Sequence, residues 1–346
     1  MNAAELAQHA DELGIDVVGA APVAPYEDTE RHIVERRERG LFAGLRFTMA
    51  RPEVSCHPET LLPGARSVVT AALCYAAPGP EPRPGEGRLP RYTWRDTYHE
   101  LRTRLDALGQ RLGGSYRVLV DENDHVDRAG AVRAGVGFYG KNTLVITRRH
   151  GSWVVLGTLV TDRELEPTPP LALDCGSCRL CIDACPTGAL DEPGVLDARR
   201  CLSTWTQAPG VVPEDYRAPL GAMVYGCDIC QEVCPWNRGV EKRRAGADPG
   251  TGAEPVVSLA DWLTADGEEL RRRFARLFVP RNDPRWLRRN ALVALGNTGR
   301  PEHAPLAEPY ASGDDPVLAD TAVWALARIA ERAATGSEHG RQADHP

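Results

Sequence analysis

Apolar residues recur at helical spacing over residues 3–13, with Leu6, Ala10 and Leu13 on one side, and Gly14 ends the run. Residues 15–20 (IDVVGA) then read as a short buried strand, and 29–39 as a charged surface helix. Pro63-Gly64 marks a turn. The run 67–75 (SVVTAALCY) shows little alternation, so it predicts a strand buried on both faces. Residues 77–90 are rich in proline and glycine and predict a loop. A helix over 98–112, a strand over 116–120, a helix over 126–134 and strands over 143–147 and 153–161 follow. Strands alternating with helices predict one layered sheet in an α/β or α+β arrangement. Cys74 falls inside a strand and reads as core, whereas Cys56 lies in a polar loop with no readable role.

Beyond residue 240 the pattern changes. Residues 240–256 are polar and glycine-rich and read as a linker. Residues 287–295 (LRRNALVAL) align with 318–326 (LADTAVWAL), an apolar helical repeat. Helix pairs at about this period are HEAT-like and stack into small solenoids. Residues 334–346 read as a disordered tail.

Composition adds bounds. The 346 residues carry 41 Lys+Arg against 48 Asp+Glu, a net charge of −7, which argues mildly against a nucleic-acid partner. Yet eight arginines against one acidic residue, Asp283, fall within 271–289, with Phe274, Phe278 and Trp286 interleaved. Arg271, Arg272, Arg273, Arg288 and Arg289 are candidate phosphate contacts, and an ordinary solvated helix face is the competing reading. No apolar run reaches the length of a membrane span, and the N-terminus carries no export signal, so a cytoplasmic location is expected.

Eight of the ten cysteines lie in 175–234. They run Cys175-x2-Cys178-x2-Cys181-x3-Cys185-Pro, then Cys201, then Cys227-x2-Cys230-x3-Cys234-Pro. This is the spacing of bacterial ferredoxins, in which the last cysteine of a run ligates the other cluster. It predicts two 4Fe–4S clusters in a ferredoxin-like domain. Cluster one takes Cys175, Cys178, Cys181 and Cys234; cluster two takes Cys185, Cys201, Cys227 and Cys230. Zinc sites use Cys-x2-Cys pairs but rarely chain four cysteines with a trailing Cys-Pro, and disulfide frameworks suit short secreted chains. Two clusters in series form a wire for single electrons, which implies a terminal acceptor in the N-terminal half and an external low-potential donor.

Two other stretches draw notice. At 118–123 (VLVDEN) an apolar strand ends in a carboxylate, Asp121, where ligands gather in open α/β sheets. Capping of the next helix is the alternative reading. Residues 135–143 (GVGFYGKNT) form a glycine-rich loop that precedes a strand, unlike a Walker or dinucleotide loop. It suits close approach of backbone to a bulky ligand, or a plain turn. Ser203, Thr206 and Gln207 suit ligand contact or helix capping, and Asp228 suits a ligand or solvent.

At this point the chain resembles the epoxyqueuosine reductases, cobalamin-dependent enzymes of queuosine-tRNA biosynthesis. The matching stretches are LGIDVVGAA near the start, LLPGARSVV at 61–69, RYTWRDTYH at 91–99, 120–146, 151–162, the cysteine block and the repeat to residue 330. The resemblance implies an N-terminal cobalamin-binding domain over 1–165, a two-cluster domain over 166–240 and tRNA-contacting helices over 257–333. It implies Asp121 as proton donor. Val145, Leu156 and Leu159 would border the corrin ring, with Gln207 and Asp228 on the corrin side and Ser203 on the tRNA side. The substrate would be tRNA bearing epoxyqueuosine, and the protein a monomer. The chain departs from the family at Thr97, at Glu122, where serine or threonine is common, and at Asp124-His125, which replace a more apolar pair. His125 reads as a surface residue, with cobalt ligand or proton relay as alternatives. Other functions open to this architecture are a corrinoid dehalogenase of small organohalides and a ferredoxin-like carrier, the second leaving the N-terminal half without a task.

Overall fold

The computed structural model describes the backbone of residues 1–342 and the side chains of 1–335. Helix α1 (Ala3–Glu12) begins with a reciprocal cap: the Glu5 N–H donates to Asn2 Oδ1 and the Asn2 N–H to Glu5 Oε2, both at 2.9 Å. Strand β1 (Val17–Pro22) and helix α2 (Glu27–Glu38) follow; α2 has acidic residues in its first turn and arginines in its last, matching the helix dipole. Next come α3 (Pro52–Ser55), β2 (Ser67–Cys74) and β3 (Glu86–Arg88). Helix α4 (Thr97–Leu112) is capped by Asp96, and β4 (Tyr116–Leu119) and α5 (Asp127–Arg133) flank the Asp121 loop. Strands β5 (Phe138–Tyr139), β6 (Val145–Ile146) and β7 (Val154–Thr161) lead into the cysteine block. There the helices are short: α6 (Leu180–Asp183), α7 (Leu202–Gln207), α8 (Glu214–Leu220), α9 (Ile229–Glu232) and α10 (Pro235–Arg243). The remainder holds β8 (Val256–Ser258), α11 (Leu259–Thr264), α12 (Gly267–Arg273), α13 (Arg285–Thr298), α14 (Glu308–Ala311) and α15 (Pro316–Gln342).

The chain divides into two compact units. The first comprises Met1–Pro78, Asp96–Arg199 and Ile229–Pro249. Its sheet has the order β1-β2-β7-β4, and every neighbouring pair is antiparallel. The arrangement is therefore α+β, and the rule that places ligands at the carboxyl ends of parallel strands does not govern Asp121. Helix α4 covers one face through fully buried Leu101, Leu105 and Leu108, and α5 packs on β2 and β7. Two covered faces explain why β2 is buried along its whole length, as its unbroken apolar run predicts.

The second unit comprises Gly79–Arg95, Arg200–Asp228 and the chain from Gly250. Strands β3 and β8 pair antiparallel, and a single bridge joins Arg88 to Met223. Helices α11, α13, α14 and α15 pack together, with α13 buried along most of its length. The predicted ferredoxin-like segment, 166–240, is divided between the two units. The expected tail also differs: α15 continues through 334–342, and 343–346 lie outside the described residues. Thr335 Oγ1 donates to the carbonyls of Glu331 and Arg332, so a residue read as part of the tail bonds back into the helix. No described helix is long and apolar enough to cross a membrane.

Candidate catalytic loop and thiol-rich site

Asp121 stands two residues beyond β4 with φ +56°, a left-handed conformation that costs a non-glycine residue about 1 kcal/mol. The neighbouring side chains hold that turn. Arg102 on α4 donates through Nη2 to the Val120 carbonyl at 2.6 Å and to Glu122 Oε1 at 2.8 Å. Asp124 receives Arg117 at 2.8 Å and Arg51 at 3.2 Å. Glu122 and Asp124, two of the departures from the family pattern, are thus anchors on either side of Asp121. The Asp121 side chain makes no cap to α5, whose N-cap, Val126, has no side-chain hydrogen bond. Asp121 is exposed, yet partial desolvation raises its carboxyl above the ordinary range, helped by the negative charges of Glu122 and Asp96 and opposed by Arg102.

His125 is not a surface residue. It is 0% exposed, and neither ring nitrogen has a hydrogen-bond partner within the described protein. Burial, reinforced by nearby Arg133, lowers its pKa to about 4 and keeps it neutral. The sequence reading went astray because polar Asp124 beside it turns outward to its arginines while His125 turns inward onto Tyr26, ring centroids 5.5 Å apart.

Val145, Leu156 and Leu159, expected beside the corrin, do not form one surface. Val145 packs with Ala72, Ala131, Ala134 and Val136, and half-buried Leu156 joins them on the α5 side. Leu159 lies three positions on in the same strand, so it points to the other face, and it is fully buried. Leu156 is the one of the three with surface left to offer. Gln207 and Ser203 are half-buried on α7 and bond each other, Gln207 Nε2 to Ser203 Oγ at 3.1 Å. Asp228 is buried and accepts the Arg91 N–H at 3.0 Å, so it is not a solvated carboxylate.

The glycine-rich loop serves the cysteines. The Lys141 N–H donates to Cys175 Sγ at 3.5 Å, and its Nζ donates to the carbonyls of Gly176 at 2.6 Å and Cys178 at 2.9 Å. Asn142 Nδ2 reaches the Cys230 carbonyl at 3.4 Å. Gly137 has no room for a side chain: a Cβ would lie 2.5 Å from Val145 Cγ1 and 2.8 Å from the Ile146 carbonyl. Its smallness serves the hairpin of β5 and β6, not an approaching ligand. A second anchor was not legible in the sequence. Buried Asn237 on α10 accepts the Ser152 N–H at 2.8 Å and donates to Ser152 Oγ at 2.9 Å and the Gln231 carbonyl at 2.8 Å. Gln231 Oε1 in turn receives Ser152 Oγ at 3.0 Å.

None of the ten cysteines forms a disulfide. Cys234 packs with Phe138, Ile146, Cys175 and Trp236. Burial raises the thiol pKa of Cys181, and the charges of Cys175, Cys234 and Cys178 add to it, so these four sulfurs lie within electrostatic reach of one another in the first unit. They are the four assigned by spacing to cluster one. Cys185 and Cys230 belong to the same unit, and Cys201 and Cys227 to the second. Among the described residues no group of three or more His, Cys, Asp or Glu is spaced to hold a single metal ion. The donor set is all thiol, half-buried and backed by N–H groups, which fits iron–sulfur ligation.

The candidate phosphate contacts separate. Arg272 is exposed, Arg271 pairs with Glu268 at 2.5 Å, and Arg273 with Glu254 at 2.5 Å. Arg288 donates to the Ala265 carbonyl at 2.7 Å. Arg289 is fully buried and spends its guanidinium on the carbonyls of Trp205, Ala208 and Gly210 and on Asn290, so it corrects the expectation of a tRNA contact.

Comparison with known proteins adds the following. A family model described as "Epoxyqueuosine reductase QueG, DUF1730" matches residues 56–122, and one described as "4Fe-4S double cluster binding domain" matches 174–237. The chain is 33% identical over 344 residues to the epoxyqueuosine reductase of Bacillus subtilis (strain 168), covering 95% of this chain and 88% of that protein. It is 33% identical over 339 residues to that of Lactococcus garvieae (strain Lg2), covering 94% and 95%. A crystal structure of epoxyqueuosine reductase with a tRNA-Tyr epoxyqueuosine-modified tRNA stem loop superimposes with a TM-score of 0.85 at 33% identity, covering 94% of this chain and 89% of that one.

Proposed function

The chain belongs to the epoxyqueuosine reductase family, and on that premise we propose that it is an oxidoreductase that reduces epoxyqueuosine at the tRNA wobble position to queuosine. The near-full-length correspondence to that family carries the reading. The reaction opens the epoxide of the cyclopentane, forms a carbon–carbon double bond and releases the oxygen as water, consuming two electrons and two protons.

When bound, cobalamin fed by two 4Fe–4S clusters supplies those electrons at low potential, drawn from an external donor. Cys175, Cys178, Cys181 and Cys234 hold one cluster, and Cys185, Cys201, Cys227 and Cys230 the other. Lys141 and Asn142 bond the backbone of Gly176, Cys178 and Cys230 to the β5–β6 hairpin, which supports those residues as ligands. Leu156 offers the apolar contact to the corrin, with Gln207 and Asp228 as further candidates. Val145 and Leu159 support it only from within the core.

Negative charge develops on the epoxide oxygen as it opens, and a nearby acid lowers that barrier, typically by 10²–10⁴-fold. The exposure of Asp121 supports it as that acid, and Arg102, Arg51 and Arg117 grip the residues around its left-handed turn. Its raised pKa keeps more of the acid form than an ordinary aspartate holds.

Exposed Arg272 and its neighbours Arg271 and Arg273 meet tRNA phosphates, with Ser203 a further contact. The HEAT-like helices over 257–333 carry that surface. The protein acts in the cytoplasm as a monomer.

The test is an anaerobic assay with reconstituted clusters, added cobalamin, a chemical reductant and tRNA bearing epoxyqueuosine, with nucleosides analysed by mass. Cobalamin-dependent queuosine is expected, and Asp121→Asn is expected to lower its rate at least a hundredfold. A wild-type rate in that variant would remove Asp121 from the mechanism.

A further inference from the structure

Reduction of the epoxide consumes two protons, and one Asp121 carboxyl holds one. The structure offers a second carboxyl on the same side of the sheet. Asp127 opens α5, and its Oδ1 accepts the hydroxyl of Thr158 at 2.8 Å. Thr158 is fully buried on β7 directly opposite Leu119, the last residue of β4 and two before Asp121. The Thr158 bond therefore moors Asp127 beside the strand end that carries Asp121.

Near Asp127 lie buried polar atoms without hydrogen-bond partners in the described protein. Thr70 pairs with Thr158 across β2 and β7, and its Oγ1 has no hydrogen-bond partner within the described protein. The same holds for the Tyr26 hydroxyl and for both nitrogens of His125. These groups converge on Gly130, one turn along α5 from Asp127. A Cβ placed there would lie 2.9 Å from His125 Nε2, 3.1 Å from Thr70 Oγ1 and 3.5 Å from the Tyr26 hydroxyl. Distances this short leave no room for a side chain at Gly130, and its absence lets the three groups lie close together.

Resting on the reading of Asp121 as proton donor, we propose that Asp127 is a positioning residue of the same reaction: it holds the second proton and re-protonates Asp121, itself refilled past the unpartnered polar groups of His125, Thr70 and Tyr26. The charged groups facing Asp127 are Asp121 and Glu122, which favour its protonated form, and Arg128, which opposes it. Arg133 stacks on the Tyr26 ring at 3.6 Å and sets a positive charge near His125. Burial, and these carboxylates after it, push the pKa of Asp127 up to about 7 against the opposing Thr158 bond, where a carboxyl can both give and regain a proton at neutral pH.

The test measures pH profiles of holoenzyme turnover for the wild type, Asp127→Asn, Asp127→Glu and Thr158→Val, with Asp121→Asn in parallel. Carboxyl infrared titration of the same proteins gives a readout independent of turnover. Turnover of the wild type should fall as pH rises through about 7. Asp127→Asn should lose about a hundredfold in rate together with that alkaline limb, and Asp127→Glu should restore both in part. Thr158→Val removes a bond that favours the ionised form, so it should move the limb and the infrared transition to higher pH. A wild-type rate and unshifted limb in Asp127→Asn, with Asp121→Asn inactive, would overturn the role of Asp127 alone. Activity in Asp121→Asn would overturn the donor reading on which it rests. Should Asp127→Asn fail to fold, an unshifted limb in Thr158→Val overturns the proposal instead.

Discussion

Replacing Arg289 with methionine should unfold the second unit more easily and leave the charge dependence of tRNA binding intact. The side chain has no exposed surface. Its guanidinium donates to three carbonyls, those of Trp205, Ala208 and Gly210, each at 2.7 Å, and to Asn290 Oδ1 at 2.9 and 3.1 Å. Burial lowers its pKa to about 9, so it is still charged at neutral pH. Methionine keeps the apolar stem and removes every donor. A buried acceptor left without a partner costs about 1–3 kcal/mol. Three such carbonyls set the upper end, and relief from burying a cation returns part of it. A net loss of about 3 kcal/mol follows, which for a fold of this size is a fall in Tm of about 6–12 °C. Thermal and urea melts at pH 7 would measure it, beside tRNA binding at several salt concentrations. An unchanged Tm, with the salt dependence falling by the slope of about 0.9 expected for one phosphate contact, would refute the reasoning and return Arg289 to the RNA surface.

Lys141→Met removes the ammonium that bonds Gly176 and Cys178, so cluster iron should be lost about tenfold faster under a chelator, followed by visible absorbance; wild-type retention would show that the first cysteine run holds itself. Asn237→Ala strands the Ser152 N–H and the Gln231 carbonyl, and a urea melt should show a loss of about 3 kcal/mol; a change below 1 kcal/mol would mean that water substitutes for the amide. Asp127→Asn should be the more stable protein at pH 8. The folded-state pKa of Asp127 is raised, so folding gains from its protonation only at low pH, and the wild type loses that contribution as pH rises from about 4 to about 7. The variant escapes the loss, worth about 2 kcal/mol after allowance for the partial exposure of Asp127, and equal melts at pH 8 and pH 5 would contradict this.

What the sequence disclosed and what it withheld divide along physical lines. The β2 run announced itself because burial on both faces demands an unbroken apolar stretch. The cysteine block was legible because iron–sulfur ligation demands a spacing that few other functions share. Side-chain direction was not legible where polar residues crowd together. Asp124 and His125 are adjacent and both polar, yet one turns out to two arginines and the other turns in to Tyr26. The arginine stretch misled for the same reason: Arg272 and Arg289 look alike in composition, and only tertiary packing sends one to solvent and the other into the core. The antiparallel order of the sheet was hidden too, because helices between strands suggest parallel crossovers until pairing is seen. Asn237, Gln231 and Ser152 are distant in the chain, and nothing local in any of them signals the network they form.

The buried polar groups of this protein fall into two kinds, and the difference points to where the chemistry is. Arg289, Asn290 and Asn237 are buried with their donors placed on carbonyl or side-chain oxygens. Such groups fix one packing arrangement and do little else, because each proton they carry is already committed. His125, Tyr26 and Thr70 are buried with nothing in the described protein to bond. A core that served stability alone would fill that space with apolar side chains, since an unsatisfied polar atom costs about 1–3 kcal/mol. Instead α5 keeps a glycine where a methyl group would press on His125 Nε2 and Thr70 Oγ1, and β2 and β7 keep a facing pair of threonines in a sheet that is otherwise apolar around them. The uncommitted atoms gather on the side of the sheet where Asp127 bonds Thr158 and where the strand leading to Asp121 ends. The proposed proton path through Asp127 to Asp121 would give these uncommitted atoms a use that packing alone does not.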